Sequence, residues 1–146
     1  MLKHQNNKFI YNNAAAIKIP NNVYLDPNPD PCPVEGMVLY SEDKLARIIV
    51  DFVETEKDAS TFLEEECKGY DNYQCIKPLS AIRTNVADGF TIVYSLDCIY
   101  EEYAFSLHGD KPQLLNICIE QKKWAPSDPK QYAQLVAELL EGIEIL

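Results

Sequence analysis

Histidine is nearly missing from this chain of 146 residues: only His4 and His108 occur, and tryptophan appears once. Any histidine-based triad or zinc site would have to rest on one of those two side chains. Basic residues are also scarce, with 13 lysines and arginines against 23 aspartates and glutamates, for a formal net charge of −10. Such a chain repels phosphate backbones and anionic lipid, which are held by clustered Lys and Arg. No nucleic-acid partner is therefore expected. No apolar run approaches the roughly 20 residues that cross a bilayer as a helix, so no membrane span is expected either. The opening MLKHQNNKFIYNNAAAIKIP interrupts its apolar patches with asparagines and lacks the continuous apolar stretch of a secretory signal. The expectation is a soluble, cytoplasmic chain, with export of a processed form as the alternative.

Five cysteines are present, Cys32, Cys67, Cys75, Cys98 and Cys118. An odd number cannot all pair within one molecule, and no C-x-x-C spacing is available for zinc or redox work. Reduced thiols are the expectation, and Cys67 and Cys75 are the pair to check for a bond. A hydrophobic fraction of 47% with five glycines and nine prolines is that of a globular protein. A chain this long fits one domain, residues 1–146, and buries roughly 70% of the surface its unfolded form exposes.

The periodicity predicts two helices. The first runs from about Ala59 to Gly69, with Asp58 as its cap, Gly69 ending it in the left-handed conformation, and Ala59, Phe62, Leu63, Cys67 and Tyr70 on one face. The Glu64-Glu65-Glu66 run reads as its solvated side. The second begins at Asp128-Pro129 and carries the stripe Tyr132, Leu135, Val136, Leu139, Leu140 and Ile143.

Three antiparallel strands are expected between Leu79 and Gln121: LSAIRTNV, FTIVYSLDCIYEEYAFSL and PQLLNICIEQ. The first turn falls at Ala87-Asp88-Gly89 and the second at His108-Gly109-Asp110-Lys111. A hairpin of MVLY and LARIIVDFV precedes the first helix, turning at Ser41-Glu42-Asp43-Lys44, and the continuous Ile48-Ile49-Val50 places its second strand centrally in the sheet. Lys8 to Tyr11 and Ala15 to Pro20 read as one or two short strands. This order implies an α+β fold, an antiparallel sheet with helices packed on it in an α/β/α-like sandwich.

The opening Phe9-Ile10-Tyr11 through Ile17-Lys18-Ile19-Pro20, the helix DASTFLEEE after a long hairpin, and Asp88-Gly89 before Phe90-Thr91-Ile92-Val93-Tyr94 carry a family likeness. With Tyr100-Glu101-Glu102-Tyr103-Ala104-Phe105 and a terminal helix ending near Ile143, the chain resembles the PsbP-like group, which takes in the Mog and DcrB-like proteins. The resemblance spans nearly the whole chain and rests on element order and a few positions rather than on a motif. It implies a PsbP-like fold and a binding or accessory role rather than catalysis. Some bacterial members resemble chaperones that shield an apolar segment of a client, which carries over as a type of activity with no residues attached.

The candidate chemistry is thin. Asp26-Pro27-Asn28-Pro29-Asp30-Pro31-Cys32-Pro33 spaces its oxygens like a calcium loop, but Pro31 stands at the glycine position and Met37 at the closing glutamate. An extended proline-rich loop is the preferred reading. Cys98 or Cys118 with His108 is the one nucleophile–base pairing available, and cysteines alternating within apolar strands read better as small core residues.

Glu101 and Glu102 point to opposite faces of their strand and cannot act as a carboxylate pair. A turn centred between Gly109 and Asp110 puts Glu101 opposite Cys118 and Glu102 on the face of Tyr100 and Ala104, with one of the two faces wet. Arg83 on the preceding strand is placed to pair with one of them. Nine tyrosines, among them Tyr24, Tyr70, Tyr73, Tyr94, Tyr100 and Tyr103, suit an aromatic-lined binding face.

The reading is a non-enzymatic module that holds a protein partner or an apolar peptide segment, as an adaptor or chaperone would. Its expected binding face carries Tyr94, Tyr100, Glu102 and Arg83, with no cofactor and no metal. The alternatives are a small-molecule or calcium-responsive binding domain, and a hydrolase.

Overall fold

The computed structural model describes residues 3–5, 9–26 and 36–146. In chain order the strands β1 (Lys3–Gln5), β2 (Phe9–Tyr11), β3 (Ala15–Lys18), β4 (Tyr24–Asp26), β5 (Gly36–Tyr40) and β6 (Ala46–Glu54) precede α1 (Ala59–Lys68). Then come β7 (Gln74–Arg83), β8 (Asp88–Ser95), β9 (Cys98–Leu107), β10 (Gln113–Lys122), α2 (Pro129–Glu141) and β11 (Ile143–Ile145). The strands form two antiparallel sheets, a small one ordered β1-β2-β3-β11 and a seven-stranded one ordered β4-β5-β6-β10-β9-β8-β7. Helices pack on the large sheet, so the fold class is α+β as expected.

Both helix starts follow their caps. The Asp58 side chain accepts from the Thr61 amide at 2.8 Å, and Asp128, ahead of Pro129, accepts from the Gln131 amide at 3.1 Å. The ends differ from expectation. Gly69 is right-handed, with φ −67° and ψ −10°, because the Gly69 and Tyr70 amides already reach the Glu65 and Cys67 carbonyls without a left-handed residue. Ile143 is not helical. The Gly142 carbonyl accepts from the Lys18 amide at 2.9 Å, and β3 captures the chain as β11, pairing Ile143 with Ile17.

The region read as three strands holds four. The long run over 90–107 breaks at Ser95-Leu96-Asp97, where the Leu96 amide meets the Cys98 carbonyl at 2.9 Å and Asp97 accepts from the Cys98 amide and the Tyr100 hydroxyl. The preceding strand begins at Gln74, not Leu79. The turn before β8 is Thr84–Ala87, closed by Thr84 N–H to the Ala87 carbonyl at 2.8 Å. Gly89 therefore lies inside a strand and answers a packing need. A Cβ there would sit 2.4 Å from the Ala104 carbonyl oxygen and 2.5 Å from the Phe105 ring.

Strand alternation divides the core between the two faces of the large sheet. One face presents Leu39, Ile48, Val50, Phe52, Phe105, Leu115 and Ile117 to Leu135 and Leu139 of α2 and to Ile10, Ile17 and Ile143 of the small sheet. The other presents Ile92, Tyr94, Ala104 and Leu114 to Ala59, Leu63 and Cys67 of α1. β6 sits between β5 and β10, the central place expected for it.

Candidate functional site

Residues directly opposite one another in an antiparallel ladder share a face, so the register gives the composition of each row across the sheet. One row runs the full width: Tyr24, Tyr40, Arg47, Glu120, Tyr100, Tyr94 and Cys75. Four tyrosines, from sequence positions up to 76 apart, thus line one end of the α1 face. The Arg47 guanidinium lies 4.0 Å from the Glu120 carboxylate midway along the row. Tyr94 and Tyr100 stack with ring centroids 5.3 Å apart, and Lys44 sits 5.0 Å over the Tyr24 ring.

Exposure grades along this row. Tyr94 is 3% exposed because α1 and its neighbours cover it, Tyr100 and Tyr40 are half-buried, and Tyr24 is 50% exposed. α1 lies mainly over β7, β8 and β9. On the same face over β6 and β10, Arg47, Ile49, Val53, Cys118 and Glu120 are half-buried. This half of the face carries apolar, aromatic and charged side chains together, the mixture found at the rim of protein interfaces.

The next row contains Ile49, Cys118, Glu102 and Ile92. Glu102 is 3% exposed. Its carboxyl accepts from the Tyr94 hydroxyl at 2.5 Å and from the Asn116 amide at 3.3 Å, and Asn116 also donates to the Tyr103 carbonyl at 3.0 Å. Burial pushes the Glu102 carboxyl up, the hydrogen bond from Tyr94 works against that, and Glu66 of α1 adds to the rise. Tyr94 in turn is pushed up by burial and by Glu102. No cation among the described residues reaches this carboxyl.

Three of the four residues expected to bind, Tyr94, Tyr100 and Glu102, are brought together here. Two features of that expectation are corrected. Glu102 and Tyr94 are buried rather than presented to solvent, because α1 covers this end of the sheet. Arg83 stands apart: it pairs with Asp88 at 2.8 Å across the exposed β7–β8 hairpin, two rows away from Glu102. The register places Cys118 opposite Glu102, and Glu101 opposite Ile119, one residue from the expected pairing. Glu101 and Tyr103 lie on the α2 face, where the Tyr103 hydroxyl donates to Glu101. Both faces of β9 are largely covered: Ser106 is exposed, and Ile99, Tyr100 and Glu101 are half-buried. Tyr40, which completes the row, was not singled out in the sequence; the Tyr40↔Arg47 spacing across the Ser41–Lys44 turn is the signal that finds it.

The pairing of cysteine with His108 does not form. Cys98 opens β9 and His108 lies beyond its other end, on the order of 30 Å away along the strand. Burial raises the thiols of Cys67, Cys98 and Cys118, the last strongly, which keeps them protonated. Cys67 and Cys75 are free thiols. Of the proline-rich loop, Asp26 closes β4 and residues 27–35 lie outside the described part. Among the described residues no cluster of His, Cys, Asp or Glu has the arrangement of a metal site, and no helix is long and apolar enough to cross a membrane.

No protein-family model matches the chain, and no curated protein matches it. Among solved structures it is similar to LpqN, a protein involved in cell envelope biogenesis of Mycobacterium tuberculosis, with a TM-score of 0.59 and 13% identity. The match covers 90% of this chain and 82% of LpqN. At that identity the likeness is one of fold, a remote relation.

Proposed function

We propose that the chain is a non-enzymatic binding module that holds a protein partner or an apolar peptide segment on the tyrosine-lined half of its large sheet. The single observation that carries this reading is the row Tyr24–Tyr40–Arg47–Glu120–Tyr100, exposed at one end and passing under α1 at the other. Tyrosine offers a large rigid apolar body with a polar tip, and a central Arg–Glu pair supplies directional contacts. The sheet face is better suited than the sheet edge. β7 is an edge strand, but Pro78 offers no N–H, Lys77 adds charge, and its register shifts twice, all of which blunt strand addition. The PsbP-like resemblance and the fold shared with LpqN, whose role is in envelope biogenesis, both accord with an accessory rather than a catalytic part.

The test is affinity capture from lysate of the native organism at moderate salt, run in parallel with wild type, Tyr40→Ala and Ile76→Ser. A near-stoichiometric protein held by wild type and by the edge variant, and lost from Tyr40→Ala, is the expected result. Recovery of the bare chain after crosslinking, or capture indifferent to Tyr40, would overturn the reading.

A further inference from the structure

The two helices are attached differently, and that difference bears on the carboxyl under α1. Among the described residues no backbone hydrogen bond ties α1 to the sheet; the bonds at its ends are local, Phe62 to Asp58, Gly69 to Glu65 and Tyr70 to Cys67. Three side chains, Ala59, Leu63 and Cys67, are its buried purchase. By contrast, the strands that bear Glu102, Tyr94 and Asn116 are each paired on both sides. If any element yields to a charge placed between helix and sheet, it is the helix.

Among the described residues, the groups that bond to Glu102 or act on it are acids or neutral. From β8 comes Tyr94, from β10 Cys118 and Asn116, from α1 Glu66 and Cys67, and from the segment after α1 Tyr70. Asp51 of β6 acts on Glu66 in the same sense; Lys57 opposes it while pairing with Glu65 on the outer side of the helix, and Arg47 of β6 acts on Cys118 rather than on Glu102. An ionised Glu102 would thus be buried, facing a second carboxylate, with two neutral donors as its whole compensation.

We propose that α1 is a pH-sensitive lid latched by the neutral carboxyl of Glu102. Loss of that proton to solvent loosens the helix from β8 and β9 and uncovers the apolar floor made by Ile92, Ala104 and Leu114. The latch operates whether or not a partner binds the tyrosine row. Its sign is fixed by linkage: a carboxyl raised on closing stabilises the closed state fully below its ordinary value of 4.5, and the contribution drains away as pH climbs to the raised value.

Amide hydrogen exchange over residues 59–68, corrected for the intrinsic pH dependence, reads this directly. Protection of α1 should fall by about tenfold per pH unit within that window, while α2 stays level. In Glu102→Gln the fall should vanish. In Glu66→Gln it should persist but end at lower pH, because a like charge that raises Glu102 has been removed. Equal slopes in wild type and Glu102→Gln, or a pH-independent α1, would overturn the proposal. Should Glu102→Gln not fold, the ¹³C carboxyl shift of Glu102 in the wild-type protein serves instead: a midpoint that coincides with the α1 transition supports the latch, and one that does not refutes it.

Discussion

The two faces of the large sheet are built from the same strands and carry opposite designs. On the α2 face every inward position of β6 is apolar, and the covering layer is tied down by polar contacts at both ends. Asp43, in the β5–β6 turn, accepts from the Ser127 hydroxyl at 2.7 Å and the Asp128 amide at 3.1 Å at the start of α2, and the Gly142–Lys18 bond holds its end. On the α1 face the inward positions include Glu102, Asn116 and Cys118, and the helix rests on side-chain packing alone. Apolar burial is non-directional and pins whole layers, whereas a buried carboxyl stabilises only while its proton and its donors are in place. One face is a core; the other combines a core with a half-buried surface that α1 does not cover.

The largest expected break in this contrast is Phe105→Ala. Phe105 is fully buried on the α2 face beside Gly89, and its loss should cost about 3–5 kcal/mol in urea unfolding, with every element lost together. Leu63→Ala, fully buried under α1, should cost about 2–3 kcal/mol, at the low end for leucine because a helix held only by side chains can settle. Its distinctive readout is faster exchange confined to α1. If Phe105→Ala and Leu63→Ala melt the same amides, the two faces are one cooperative unit and the contrast fails.

A smaller effect sharpens the comparison at the clamp. Burial nudges the Asp43 carboxyl up, but hydrogen bonds from Ser127, Ser41 and the Leu45 and Asp128 amides overcome it and hold it at about 2, below its ordinary 3.8. Its folded value is depressed, so the stabilisation is present above about pH 4 and is lost as pH falls toward 2. Because the half-buried carboxylate is still partly screened by solvent, Asp43→Ala should cost only about 1 kcal/mol at neutral pH. That gap to wild type should close on acidification, the opposite pH direction to the α1 latch. Least of all in stability, Tyr40→Ala should change unfolding by no more than about 0.5–1 kcal/mol, since the ring is half-buried, while removing the captured partner. A large stability loss there would mark the tyrosine row as core.

Local chemistry was legible where a short segment sufficed. Asp58 and Asp128-Pro129 place both helix starts, and Ser41–Lys44 places the β5–β6 hairpin, because caps and turns depend on residues within a few positions of one another. The break at Leu96-Asp97 was hidden inside a run of apolar and aromatic residues with no glycine or asparagine to mark it, and missing it merged two strands; the Glu101–Cys118 pairing shifts by one residue for a separate reason, that the β9–β10 turn is centred on Asp110 rather than between Gly109 and Asp110. Gly89 read as a turn glycine because its actual reason, the Phe105 ring lying against its Cα, is a contact across strands. Of the site, the association of Tyr94, Tyr100 and Glu102 was foreseen from their shared face, while Arg83 was expected beside them as a residue of the preceding strand; β8 lies between, and the register sends Arg83 to Asp88.

The sequence by itself determined the acidic balance, the two amphipathic helices with their caps, and an α+β fold with helices on an antiparallel sheet, since periodicity and capping are local properties. Only the tertiary structure decided which side of the sheet each helix covers, that Glu102 is buried, and that Tyr24, Tyr40, Tyr100 and Tyr94 form one row. The reason is physical: strand order and register are set by the joint packing of residues distant in the chain, and a one-residue slip sends every side chain to the other face.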